Sequence, residues 1–202
     1  MKKIDGDLEF CVSFQSSHYN QAFDPPDLAK GYGSVSLDMY ASVSSQSLAE
    51  WRAARDQPLR ENGYVVGGPI GNLREKHKWI EFDLANPRAR HQVIQEIIDH
   101  IREIGFPCFE TFRDPQAVIA KLIAGTIPWM DWESDVLEYI LCFGTRAQAD
   151  EIFGRFRDKR PLQMDEYLSK LDEYRMWGIP NTLNARREPR LARAALALGF
   201  ER

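Results

Sequence analysis

The stretch from Trp79 to Phe106 constrains the fold of this chain more than any other. It opens with a short strand, Trp79-Ile80-Glu81-Phe82-Asp83-Leu84, and continues through Asn86-Pro87 into a helix predicted to run to Ile104. Asn86 suits an N-cap, and Pro87 suits the first helical turn, where its missing N–H costs nothing. Val93, Ile94, Ile97, Ile98, Ile101 and Ile104 then fall within an arc of roughly 140° at about 100° per residue. Gly105 stands where a helix end favours a residue free to take φ > 0. An isoleucine stripe of this kind has no stable home in water, so it is expected to lie on a sheet.

Upstream segments can supply that sheet. Leu8, Phe10, Val12 and Phe14 alternate with Glu9, Cys11, Ser13 and Gln15, the period of a half-buried strand. Val35, Leu37, Met39, Ala41 and Val43 alternate in the same way with Ser34, Ser36, Asp38 and Tyr40. The two strands are predicted to be antiparallel neighbours. Between them, Ser16 to Gly33 is polar and broken by Pro25-Pro26, which predicts a long connection. Ser47 to Asp56 is predicted as a short helix with Leu48, Trp51 and Arg55 on one side. Tyr64 to Leu73 is predicted as a strand bent by Gly67-Gly68-Pro69 and Gly71, with the proline at an edge. Phe106 to Phe112 is short, apolar and β-prone, and a helix starts at Asp114-Pro115 with Val118, Ile119 and Leu122 facing inward.

From Trp129 onward strands give way to helices, predicted over Asp135–Phe143, Thr145–Arg157, Leu162–Trp177 and Arg187–Leu198. The fold class predicted is α+β: a mostly antiparallel sheet of about four strands covered by one long helix, followed by a helical C-terminal region. The division is placed at 1–128 and 129–202. At 202 residues, with 44% hydrophobic and 28% charged side chains, the chain is long enough for a real core. Its net charge of −4 argues against a general nucleic-acid binder. Cys11, Cys108 and Cys142 are odd in number, widely spaced and set among apolar neighbours, the pattern of buried free thiols. No signal peptide or membrane-spanning stretch is read from the sequence, so the expected setting is cytoplasmic.

Several motifs invite chemistry and fail its requirements. Gly67-Gly68-Pro69-Ile70-Gly71 lacks the Lys-Ser/Thr ending of a phosphate loop, and Gly31-Tyr32-Gly33 enters a strand instead of leaving one. Glu96 and His100 have the i, i+4 spacing that can share a metal, but no further ligand pair joins them; neither metal nor cofactor is expected. Gln15-Ser16-Ser17-His18-Tyr19 gathers hydrogen-bonding groups at the end of the first strand. With Arg74 or His77 it forms the one candidate for a small-ligand site or a hydrolase, although no oxyanion hole or orienting acid is marked. Asp131, Glu133, Asp135 and Glu138, mixed with Trp129 and Trp132, suit a helix start or an interface hot spot. Arg186, Arg187, Arg190 and Arg193 give the last helix a basic face able to grip acids. The candidate binding residues are therefore Gln15, His18, Arg74, His77, Trp129, Trp132, Arg186 and Arg190, with no catalytic set.

Phe10-Cys11-Val12-Ser13-Phe14-Gln15-Ser16, Ser34-Val35-Ser36-Leu37-Asp38-Met39-Tyr40, Ile70-Gly71-Asn72-Leu73 and Trp79-Ile80-Glu81-Phe82-Asp83 together resemble a bacterial family of small proteins known only as a domain of unknown function. The resemblance covers residues 8 to 112 and departs at Pro69-Ile70, where that family has an arginine before the glycine. It brings no catalytic residues. Proteins of this general sort recur among bacterial immunity and accessory proteins, which by analogy implies a non-enzymatic partner that binds another protein, in an immunity-like or regulatory role.

Overall fold

The computed structural model describes residues 2–16, 19–27, 29, 31–55, 62–73, 80–127, 130, 133–159, 170, 172–173, 176–177 and 190–200. The chain forms two compact units, Met1–Ser44 with Val66–Arg113, and Ser45–Val65 with Asp114–Arg202. Antiparallel pairing and abundant helix together give the α+β class.

The first unit carries a five-stranded sheet. Its strands are β1 (Lys2–Asp5), β2 (Leu8–Ser16), β5 (Ser36–Ser45), β6 (Tyr64–Pro69) and β7 (Glu81–Asp83). They run in the order β1-β2-β5-β6, with β7 on β5 as well. β1 and β2 form a hairpin across Gly6-Asp7, with Asp5 opposite Leu8 and Ile4 opposite Glu9. Gly6 takes φ 60°, the left-handed conformation a two-residue turn needs. β7 covers Ser36–Asp38 in antiparallel register. Gly67 of β6 lies so close to β5 that a Cβ there would come within 2.8 Å of Ala41 O. A close approach of backbones is thus what this glycine serves.

Sequence alternation decides which face of the sheet is packed. Phe10 and Val12 of β2, Met39, Ala41 and Val43 of β5, and Phe82 of β7 are buried on one side. Phe14 shares their parity, yet it is 46% exposed at the end of its strand. Two expectations need correction. Ser16 to Gly33 is not an irregular connection: β3 (Gln21–Asp27) and β4 (Gly31–Ser34) pair antiparallel as a second, two-stranded sheet. Phe23 lies against Gly33 there. Tyr64 to Leu73 is strand only to Pro69, after which Ile70–Leu73 forms a 3₁₀ turn with Ile70 and Leu73 buried.

The helix over the sheet starts later than expected, at Arg90 with Ala89 as its N-cap and no side-chain cap, and Asn86 organises only the turn before it. Asn86 Oδ1 accepts from the Arg88 N–H at 2.9 Å, and the Arg90 N–H donates to Asn86 O at 3.0 Å. α2 then spans Arg90–His100. Ile97 and Ile104 are buried, His100 meets Phe82 edge-on at 5.6 Å, and Ile94 is 42% exposed, so only part of the stripe is covered. Gly105 does not end the helix. It keeps right-handed angles (φ −61°, ψ −52°), a π turn spans Ile101–Gly105, and α3 follows over Phe106–Thr111, where a β-prone segment was expected.

The π turn has a packing reason. At about 100° per residue Phe109 would sit about 120° around the helix from Ile97. The one extra residue of a π turn brings it back to within about 20°. There its ring stacks on Phe10, with centroids 4.9 Å apart. The apolar, β-prone look of this segment loses to the burial gained by Cys108, Phe109 and Phe112. Because a Cβ at Gly105 would meet only Ile70 Cδ1 at 3.8 Å and Ile101 Cγ2 at 3.9 Å, both ordinary contacts, Gly105→Ala is expected to stabilise the protein by about 0.5–1 kcal/mol. A urea titration checks this; a left-handed helix terminator would give loss instead.

The second unit is helical. Ser45, the last residue of β5, caps α1 (Gln46–Ala53) by accepting from the Leu48 N–H at 3.0 Å. α4 (Pro115–Ala124) is capped by Asp114 Oδ1, which accepts from the Gln116 and Ala117 N–H groups, and is closed by Gly125 at φ 71°. Val118, Ile119 and Leu122 are buried as their spacing predicts. α5 (Glu133–Phe143) and α6 (Arg146–Lys159) bury Val136, Leu137, Tyr139, Ile140, Ala149, Ile152 and Phe153. α7 (Arg190–Leu198) buries Ala194, Ala195 and Leu198. Beyond it, Phe200 stacks on Phe153 at 4.8 Å and lies 4.2 Å beneath the Arg146 guanidinium. Arg146 also donates to Leu198 O and Gly199 O, satisfying carbonyls at the helix end.

Candidate binding face

Packing one side of the sheet leaves the other without a helical layer from its own unit among the described residues. On that side β2 presents Glu9, Cys11, Ser13 and Gln15. β5 presents Ser36, Asp38, Tyr40 and Ser42, and β7 presents Glu81 and Asp83. β1 adds Lys2 and Ile4, because Ile4 stands opposite Glu9. None of these residues is buried. Such a face is half-wet, and its chemistry is set by what alternates with the core positions.

The face is acidic and internally braced. Four carboxylates, Glu9, Asp38, Glu81 and Asp83, share it with one lysine. Lys2 Nζ pairs with Glu9 at 2.6 Å. Ser36 Oγ donates to Glu81, and Asp83 Oδ1 accepts from the N–H groups of Val35 and Ala85, both at 2.9 Å. These bonds hold β7 to the start of β5. Asn20 secures the opposite flank: its side-chain amide donates to Ser36 O and accepts from the Ser36 N–H, substituting for a strand partner. Asp38 turns Oδ1 into a spot closed to solvent where none of the described residues donates to it. A desolvated carboxylate oxygen without a donor is a standing demand for one.

Of the residues singled out from the sequence, Gln15 is on this face and exposed. His18, Arg74, His77, Trp129, Trp132 and Arg186 lie outside the described residues, and Arg190 opens α7 with its side chain outside them. The described residues therefore do not bring the candidate set together. His100 Nδ1 is 2.7 Å from Glu96 O, a backbone contact and not a shared metal site. Among the described residues there is no group of three or more His, Cys, Asp or Glu that could hold a metal ion, and no helix is long and apolar enough to cross a membrane.

The acids read at a helix start do open α5, with Glu133 and Asp135 in its first turn. Glu133, Asp135 and Glu138 are buried. Glu138 receives Arg52, whose Nε and Nη2 lie 2.8 and 2.6 Å from Oε2, with Asp135 Oδ1 3.9 Å from Nη2. Nη1 donates to Asn62 O and Tyr64 O. Arg52, not Arg55, is the inward-facing arginine of α1, and it is completely buried. Its only signal in the sequence is the i, i+4 spacing from Leu48, which an arginine ordinarily obscures. These charge-assisted bonds clasp α1 to α5. Arg55 lies 3.6 Å over the Trp51 ring; burial lowers its pKa, while Glu138 and Cys142 act in the other direction.

The buried thiol of Cys108 is equally inert. Burial pushes its pKa up to about 12, so the nucleophilic thiolate is scarce at neutral pH. Iodoacetamide is expected to leave Cys108 unlabelled in native protein and to label it in urea, as read by peptide mass spectrometry.

No family model, curated protein or solved structure matches this chain at a significant level. What fold and site define is a class: an α+β protein with a sheet unit that carries an acidic outer face and a second, helical unit.

Proposed function

We propose that this protein is a non-enzymatic binding partner of another protein, immunity-like or regulatory in role, and that the acidic outer face of its sheet is the recognition surface. The observation that supports this most is the composition of that face: four acids and the half-exposed Tyr40 on a hydrogen-bonded platform. A partner with arginine or lysine at its surface satisfies those acids, and Tyr40 supplies amphipathic contact area at low entropic cost.

The test is affinity capture from the native host with wild-type protein and with a Ser13→Arg/Gln15→Arg variant. Both positions are exposed on the face, so the variant keeps its fold. The expected result is one specific partner retained by wild type and lost by the variant. Equal retention by both, or no specific partner in repeated trials, would overturn the reading.

A further inference from the structure

We propose that Asn62 is a self-modification site: the main-chain nitrogen of Gly63 displaces ammonia from the Asn62 side-chain amide, and water opens the ring to aspartate or isoaspartate. The inference goes beyond the partner-binding reading and does not depend on it. Asn62-Gly63 is the one Asn-Gly pair in the chain.

The glycine is there for a packing reason. A Cβ at residue 63 would come within 2.0 Å of Ser45 O, so no side chain fits. Gly63 O in turn accepts from the Ser45 N–H at 2.8 Å. Lacking a side chain, Gly63 also lacks the steric screen that other residues place beside their own nitrogen. Asn62 is exposed, so water reaches its amide.

Two donors stand where charge develops. The reacting nitrogen must give up its proton, and the negative charge is then shared with the Asn62 main-chain oxygen. That oxygen accepts from Nη1 of the permanently charged Arg52 at 2.6 Å, which favours the deprotonated peptide. Attack on Cγ moves charge onto Oδ1. Oδ1 accepts from the Tyr64 N–H at 3.1 Å, the place of an oxyanion donor.

The step balances without an oxidant or reductant. The bond from Gly63 N to Asn62 Cγ forms, the Cγ–Nδ2 bond breaks, and the proton lost by Gly63 returns through water to the departing ammonia. A water molecule then adds to one ring carbonyl and breaks its bond to nitrogen. Opening at Cγ leaves aspartate. Opening at the main-chain carbonyl leaves isoaspartate, which lengthens the chain by a methylene beside the tight approach of Gly63 to Ser45.

The experiment incubates the full folded chain at mildly alkaline pH and follows its asparagines by peptide mass spectrometry. Fragmentation that separates aspartate from isoaspartate identifies the products. Asn62 is expected to gain about one dalton. Asn20, Asn72 and Asn86, each followed by a larger residue, are expected to stay unchanged. Conversion of Asn62 is expected to be at least as fast in the folded chain as in urea, where neither donor is in place. Arg52→Lys keeps a cation but loses the guanidinium fork, and is expected to slow conversion in the folded protein several-fold. Circular dichroism confirms that this variant is folded, and the comparison with urea needs no variant. An Asn62 that stays intact in the folded chain, or converts there more slowly than in urea, would overturn the proposal. So would a folded Arg52→Lys protein that converts at the wild-type rate.

Discussion

Arg52→Ala is expected to destabilise the helical unit by about 3–5 kcal/mol, as loss of one partner from a buried ion pair does. The loss is not that of a surface salt bridge, because Arg52 and Glu138 are both fully buried. Removing the guanidinium takes a buried cation from the Glu138 carboxylate and from Asp135 in a low-dielectric interior. It also strips the carbonyls of Asn62 and Tyr64 of their donors. The double substitution Arg52→Met/Glu138→Leu removes both charges and keeps the volume. It is therefore expected to cost clearly less than the sum of Arg52→Met and Glu138→Leu. Thermal melts followed by far-ultraviolet circular dichroism measure all four proteins. Additive losses would mean that the two side chains do not act as a pair.

Phe10→Ala is the second substitution with a large expected effect, about 3–5 kcal/mol. Phe10 is buried in β2 and stacked on Phe109, so it joins the sheet to the helix after the π turn. Truncation deletes apolar burial on both elements and opens a cavity that two rigid layers cannot collapse to fill. Phe10→Leu is expected to retain well over half of the stability that Phe10→Ala loses. The readout is the urea midpoint at unchanged slope. A Phe10→Ala loss within about 0.5 kcal/mol would place the residue among surface positions and undo the helix-on-sheet arrangement.

Elements with one dominant periodic signal were legible. The alternation of β2 and β5, the Asp114-Pro115 start of α4 and its Val118, Ile119 and Leu122 stripe each combine local chemistry with burial that agrees. The π turn was not legible, because what rotates the helix by one residue is Phe10, a partner about a hundred positions away in sequence. The β3–β4 hairpin was hidden by Pro25-Pro26 and two glycines, which locally argue for loop. The buried acids of α5 were hidden for a similar reason: a carboxylate at a helix start has a sufficient local explanation in the helix dipole. Only the arrival of Arg52 reverses it.

Of the candidate binding residues, Gln15 was placed on the outer face by alternation alone. The acidic character of that face could have been read from the same rule applied to Glu9, Asp38, Glu81 and Asp83. It does not show as a polar run within one segment, because a sheet face collects alternate residues from several.

The chain by itself determined its secondary periods, its caps and the side of each strand that seeks the core, since these depend on neighbours within about one turn or one pleat. Tertiary structure alone decided which strand lies at the edge, that α1 belongs with α5, and that one arginine answers acids 83 and 86 positions away. Those choices depend on which distant groups meet when water is excluded. Burial makes an unpaired charge or an open backbone costly only once the partner surfaces exist.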